Sequence, residues 1–410
     1  MRLGTNPPTH LTYCLNIHPG ETWDEHLKAI MHKTLAVCSA VKPDGPFGLG
    51  LRLGNNSADE LLTANALNLF ADMCKSENLY VFTINGFPYG QFHGTSVKQD
   101  VYRPDWREDA RYEYTMKLAT ILARLLPDGV TGSISTVPGS YKRWIRNDGD
   151  ILSMVDRLAR SAAQLAAIRR QSGKDICLAL EGEPDCFIET TAEACEFLGD
   201  YLLRHGTPIV KDIIGCDSKE ASKILRHHIC TCLDVAHAAV QFEDPAECLR
   251  QYARQGVRVG KIQLSAALEA KATEQARQRL TEFADSVYLH QVKARRSDGH
   301  ITSFMDLPDA LRSPVDDQEI WRVHFHVPLF FKSWSGLSST SGDILGGFMQ
   351  AAAQQSSHLE IETYTYEVIP EYLRDGDVVA SIAKEYKWVG QVARTTSQRH
   401  LLEPRGLNNV

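Results

Sequence analysis

The chain has 410 residues, enough for one large barrel or two ordinary domains. A hydrophobic fraction of 43% and a charged fraction of 23% are those of a globular protein whose core needs no staples. The formal net charge of −7 argues against a nucleic-acid partner, no apolar run is long enough for a membrane span, and the opening stretch carries no secretory signal.

The 10 cysteines form no CxxC, and Cys14, Cys177, Cys230 and Cys232 sit inside apolar runs. They read as buried free thiols in a reducing, cytoplasmic setting. Cys230 and Cys232 have the spacing of a metal half-site, but burial at every second residue explains it.

Apolar runs that alternate large aliphatic residues with small or polar ones recur near 11–18, 48–53, 79–85, 131–137, 176–182, 229–235, 258–264, 320–327 and 357–364. This period predicts strands with one greasy face and one face able to bind a metal or a polyol. Helical patterns lie between most of them. Thr22-x-x-Glu25, Ser57-x-x-Glu60, Thr190-x-x-Glu193, Asp217-x-x-Glu220 and Asp244-x-x-Glu247 fit capping boxes or close variants. Residues 150–171 are strongly amphipathic and stop at Gly173.

Such alternation means parallel βαβ units. A doubly wound sheet fits it too, but the first strand–helix turn is no glycine-rich phosphate loop, and polar strand ends recur along the whole chain. The expected fold is α/β, a single (β/α)8 TIM barrel over residues 1–394 with an insertion before its last strands. Nine strand candidates compete for eight places. Either 320–327 or 357–364 closes the barrel, or one of them belongs to an insertion. Residues 287–304 read as a hairpin about Ser297-Asp298-Gly299, which places the insertion at about 266–320. Residues 333–343 read as a mobile loop and 395–410 as a flexible tail.

The inward faces are then Cys14/Asn16/His18, Gly50/Arg52, Thr83/Asn85, Ser133/Ser135, Ala179/Glu181, Cys232/Asp234, Lys261/Gln263 and Glu360/Glu362. A closed barrel gathers their ends at one mouth. Glu181 continues the small-residue face of an apolar strand, and a buried carboxylate needs a cation. The plainer reading, a solvated loop start, applies equally to Glu183. Asp234-x-x-His237 turns an acid and an imidazole toward one point; the alternative is a helix cap beside a packed histidine, a role Asp244 already fills. Gln263 is a weak ligand or a holder of hydroxyls. His324 and His326 share a face, as a metal pair or as a dry wall. Glu360 and Glu362 side by side are costly without a cation. Asn16, His18, Arg52 and Asn85 line the same mouth, where Arg52 either holds an anion or pairs with Glu181 or Glu362. Trp23, Phe87, Tyr89 and Phe92 lie past strand ends, placed to wall a flat ligand or simply to pack.

A carboxylate, then Asp-x-x-His, then an amide, then a final carboxylate at successive strand ends resembles the xylose-isomerase-like (sugar phosphate isomerase/epimerase) barrels. The resemblance implies four strand-end ligands around Mn²⁺, Mg²⁺, Co²⁺ or Zn²⁺, with two acids flanking the substrate carbon. Glu181, Asp234 and Glu362 match three ligand positions, and His237 matches a histidine that contacts substrate or metal. Where such barrels commonly place histidine as third ligand, this chain has Gln263, with His324 and His326 later. The segments HLTYCLNIHPGETW, PFGLGLRL, KIQLSAAL, YLHQV, RVHFHVPLF and HLEIETYTYEVIP are similar to those of EboE-type metabolite traffic proteins over nearly the whole chain. That similarity implies a small prenylated or aromatic metabolite and partner proteins from one gene cluster.

The expected function is a metal-dependent isomerase or epimerase acting on a small polyol, sugar-like or aromatic metabolite. Glu181, Glu362 and His237 carry the chemistry. Glu181, Asp234, Gln263, His326 and Glu362 hold a divalent ion. Asn16, His18, Arg52, Asn85, Glu183 and His324 contact the substrate. The alternatives are a metal-dependent hydrolase and a protein that binds and hands over a metabolite without turnover.

Overall fold

Eight parallel strands close into a barrel: β1 (Thr9–Tyr13), β2 (Phe47–Arg52), β3 (Leu79–Asn85), β4 (Gly132–Thr136), β5 (Ile176–Glu181), β6 (Ile229–Asp234), β7 (Val259–Leu264) and β8 (His358–Ile361). The computed structural model describes residues 1–402 apart from Asn6, Ala64, Thr95, Tyr372, Leu373 and Asp375, with side chains described as far as Thr395. Each strand pairs in parallel with its neighbour, and β8 lies between β7 and β1. A parallel bridge from Cys14 to Gly50 joins β1 to β2 and completes the ring. The short strand Arg2–Leu3 pairs antiparallel with β1 outside it. Helices fill the connections, so the fold is a (β/α)8 barrel.

Strand 320–327 is the ninth candidate, and its pairing decides its place. Ile320–His326 runs antiparallel to both Val292–Arg295 and Ala267–Lys271, so it cannot be a parallel barrel strand. It is central in a second, six-stranded antiparallel sheet spanning Ala267 to Ser339. That sheet includes the expected hairpin, in which Arg295 pairs with Ile301 and Gly299 turns at φ +87°. The insertion thus continues beyond 320. Residues 333–343 carry regular structure where a mobile loop was expected. Ser333–Trp334 and Leu337–Ser339 form a tight hairpin across Ser335 (φ +49°) and Gly336 (φ +87°), the two left-handed residues such a turn requires. Thr340 then accepts the Ala267 amide at 2.9 Å and ties the segment down.

The barrel interior is polar. The Lys261 ammonium meets the Glu360 carboxylate at 2.5 Å, with both side chains fully buried. Thr83 and Ser133 share a hydrogen bond of 2.8 Å, and His358 Nδ1 meets Ser133 Oγ at 2.8 Å. Gly50 is required at its position, because a Cβ there would collide with Glu360 and the Tyr13 carbonyl. Cys177, Ala179, Cys230 and Cys232 pack together inside, as alternation at every second residue implied. All ten cysteines are free.

Four of the five capping signals cap a helix: Thr22 and Thr190 form full boxes, and Asp217 and Asp244 accept an amide three residues on. Ser57-x-x-Glu60 does not. That helix starts at Asn55 behind Gly54, Ser57 donates back to the Gly54 carbonyl, and Glu60 accepts the Trp23 amide.

The last helix, Val378–Leu402, closes the barrel wall with Ile382, Tyr386 and Val389 buried. Residues 395–402 therefore begin as helix where a flexible tail was expected, since a packed helix propagates beyond its last buried turn. Residues 403–410 lie outside the described residues. Glu385 on this helix is fully buried, accepts the Leu329 amide at 3.1 Å and the Thr363 hydroxyl at 2.8 Å, and burial pushes its carboxyl up to about 7. Between pH ~4.5 and 7 the folded state keeps a proton that the unfolded chain has released. Stability contributed here is expected to fall as pH rises through that window. In Glu385→Gln, denaturation midpoints measured across it should flatten.

Candidate metal and ligand site

Seven acids and imidazoles converge at the carboxyl ends of the strands, the end where barrels of this kind carry their sites. β5 ends on Glu181, with Glu183 two residues on. β6 ends on Asp234, whose side chain accepts the His237 amide at 2.8 Å and so caps the helix Val235–Val240. Asp234 is therefore a cap as well as a mouth residue, a role that had been assigned to Asp244 alone. Glu362 follows β8. The inserted sheet leaves the barrel after β7 and returns before β8, which brings His324 and His326 over the mouth.

Three overlapping groups result: Asp234, His326 and Glu362; Glu181, Asp234 and His237; and His237, His324 and His326. Within each, one ligand atom per residue lies within 4.8 Å of the others. The imidazoles are aimed from behind. His237 Nδ1 donates to the Gly182 carbonyl at 3.0 Å, His326 Nδ1 to the Glu362 carbonyl at 3.0 Å, and His324 Nδ1 to Gln291 Oε1 at 2.7 Å. Burial lowers His324 and His326, which leaves each Nε2 as a lone pair, the state a metal ligand or a proton acceptor needs, whereas Asp234, Glu183 and Glu181 outweigh burial at His237 and raise its imidazole. Glu181 Oε2, Asp234 Oδ2, His324 Nε2 and His326 Nε2 are all buried without a partner. Orphaned polar atoms are uncommon in a folded interior, and four at one point mark a place for a ligand.

Electrostatics tell the same story. Burial pushes the Glu181 carboxyl up to about 8, with His237 opposing and Asp234 adding, and pushes Glu183 up to about 7. Burial also raises Glu362 and lowers His326 to about 4. Burial would raise Asp234 as well, but His237, His326 and its hydrogen bonds outweigh it and hold the carboxyl below its ordinary range. Buried acids crowded this closely are costly until a cation arrives.

Glu362 is held differently from Glu181. Its carboxylate accepts Asn16 Nδ2 at 2.7 Å, Asn85 Nδ2 at 3.2 Å, and Gln263 Nε2. The other end of Gln263 accepts the Cys232 thiol at 3.0 Å. Both ends of that amide are used, so it orients Glu362 and does not itself face the cavity.

The cavity above has an empty volume of about 550 Å³, counted out to open solvent. Asn16, Asn85, Glu181, Glu183, His237, His324, His326 and Glu362 line it. His18 and Arg52 do not. The chain leaves extended conformation after Tyr13 and enters a turn of 3-10 helix at Leu15–Ile17, so strand parity fails before His18. His18 Nε2 instead meets the Tyr13 hydroxyl at 3.0 Å. Arg52 donates to the carbonyls of Gly20 at 2.6 Å and Gly90 at 3.0 Å and pairs with Glu21 at 3.3 Å. It ties two loops together and pairs with neither Glu181 nor Glu362. Tyr102 and Gln291 were not anticipated. The Tyr102 hydroxyl donates to Glu183 at 2.8 Å, and Gln291 donates to Tyr102 at 3.2 Å. Tyr102 ends a short 3-10 helix (Lys98–Tyr102) and Gln291 directly precedes the strand Val292–Arg295, where no strand period marks a direction.

No protein-family model matches the chain, and no curated protein matches it. Solved structures resemble it in fold. They include the probable 3-DHS dehydratase AsbF of Bacillus anthracis (12% identity, 93% of this chain and 98% of that one, TM-score 0.46). An IOLI protein with a bound zinc atom matches at 11% identity over 97% of this chain and 100% of that one, TM-score 0.44. The 3-keto-D-glucoside 4-epimerase YcjR of E. coli matches at 14% identity over 94% and 99%, TM-score 0.44. Such distant likenesses carry nothing about the chemistry of this chain. No helix among the described residues is long and apolar enough to cross a membrane.

Proposed function

We propose that this chain is a metal-dependent isomerase or epimerase acting on a small hydroxylated molecule. The observation that carries this reading is the set of four buried, unpartnered oxygen and nitrogen atoms on Glu181, Asp234, His324 and His326. The donor set fits a divalent ion: carboxylates and imidazoles, the latter locked with Nε2 free. Asp234, His326 and Glu362 would hold it, and Glu181 and His237, whose ligand atoms lie within 4.8 Å of one from Asp234, would complete the set. Gln263, expected as a ligand, serves in this reading to orient Glu362. When bound, the ion supplies Lewis-acid polarisation of a substrate oxygen.

The residues then divide the work. Glu362 is clamped by three amides and keeps one orientation. Glu181 Oε2 has no hydrogen-bond partner, and this carboxyl is the one placed to move a proton at a substrate carbon. His324 offers Nε2 to a substrate oxygen, and Asn16 and Asn85 lie close enough to position another. The ten free cysteines support a reducing, cytoplasmic setting. Partners encoded beside this gene remain part of the proposal.

The test is elemental mass spectrometry of the purified, unchelated protein. About one divalent ion per chain is expected, with proton exchange at a substrate C–H on turnover. No metal, even after incubation with Mn²⁺, Co²⁺ and Zn²⁺, overturns the reading. A carrier that binds its ligand without turnover would then stand first.

A further inference from the structure

Resting on the metal-centre reading above, we propose that the cavity takes an uncharged ligand, with neighbouring oxygens at one end and a flat apolar group at the other, and that it rejects phosphate esters. The floor and the wall of the cavity differ sharply. The acids and histidines form the floor. The wall is a cluster of three rings, each from a different part of the chain: Phe92 after β3, Tyr288 in the insertion and Tyr364 after β8. Their centroids lie 5.2 Å (Phe92–Tyr288), 5.6 Å (Phe92–Tyr364) and 5.2 Å (Tyr288–Tyr364) apart, all face the cavity, and Tyr364 stands 4.8 Å from the His326 ring. A ligand whose oxygens reach the floor must therefore place its remainder against aromatic faces and edges.

A phosphate needs a cation or a fan of backbone amides to receive it. Lys98 is the one lysine or arginine among the described lining residues. Its ammonium has three hydrogens, and three acceptors take them: Asp306 at 2.7 Å, the Tyr288 carbonyl at 2.7 Å and the Asp285 carbonyl at 3.4 Å. Arg52, the next candidate, is spent on two carbonyls and Glu21. The floor meanwhile offers the carboxyls of Glu181, Glu183 and Glu362, with Asp234 close by, and no lysine or arginine to receive a phosphate. A ligand phosphate would find no free protein cation there, and burying its charge unpaired is costly.

Three probes with the same diol head separate the contributions: 1-phenylethane-1,2-diol, glycerol and glycerol 3-phosphate. Each is titrated calorimetrically into the metal-loaded protein. The phenyl diol is expected to bind about tenfold or more tightly than glycerol, from burial of its ring. Glycerol 3-phosphate should bind no more tightly than glycerol. Tyr288→Ala should erase most of the phenyl advantage while leaving metal content unchanged. The ligand class is overturned if the phosphate ester binds tightest, if the phenyl diol gains nothing over glycerol, or if none of the three binds. Metal content of the same samples separates the two ideas. A metal-loaded protein with the wrong ranking overturns the ligand class alone. A protein that takes no metal overturns the centre, and the ranking on that protein is judged by the same criteria.

Discussion

Lys261→Met is expected to lower stability by about 3–5 kcal/mol, the cost of removing one partner from a fully buried ion pair. The Lys261 ammonium and the Glu360 carboxylate lie 2.5 Å apart inside the barrel, out of reach of water. Burial would lower the ammonium's pKa, but Glu360, Cys232 and Cys14 together outweigh it and hold the charge in place. Without the ammonium, the carboxylate is stranded beside Cys14 and below Glu362. The double variant Lys261→Met/Glu360→Gln removes both charges at similar volume and should recover most of the loss. Denaturant midpoints at unchanged slope would read both effects. A loss below about 1 kcal/mol in the single variant would mean that Glu360 simply takes a proton instead.

That pair also explains how much of the barrel could be read beforehand. Alternation in short apolar runs placed Lys261 and Glu360 inward, because a strand inside a closed parallel barrel has one face toward helices and one toward the axis. The same rule placed Glu181, Asp234 and Glu362 at the mouth. It failed where the backbone stopped being a strand. Asn16 and His18 follow β1 in a turn, so Asn16 still reaches Glu362 while His18 turns away to Tyr13. Arg52 sits on the inward face as expected, yet its long side chain ends among loop carbonyls, which no strand period describes. The His324/His326 pair was legible as a pair, but not as part of a second sheet, because pairing partners far apart in sequence leave no local mark. Gln263 reads as a departure from the usual ligand set; its role as a brace for Glu362 depends on a contact between adjacent strands.

The opposite sign is expected at Glu181. Glu181→Gln should weaken divalent-metal binding by roughly two to four powers of ten, the equivalent of losing one charged partner in a buried site. The same change should make the chelated protein more stable than its parent. Glu181 is 3% exposed, its Oε2 has no partner, and its Oε1 lies 3.7 Å from His237 Nδ1, beyond hydrogen-bond reach. Nothing in the fold uses its charge, and burial has already raised its carboxyl to about 8, so ionising it at neutral pH costs stability. An amide of the same shape avoids that cost, as at other sites where function opposes stability. Competition against a chromophoric chelator measures the first effect, and thermal melts in excess chelator measure the second. Unchanged metal affinity would remove Glu181 from the ligand set. A less stable chelated variant would make it a structural residue, and the asymmetry between a free Glu181 and a clamped Glu362, on which the division of labour in the mouth depends, would fall with it.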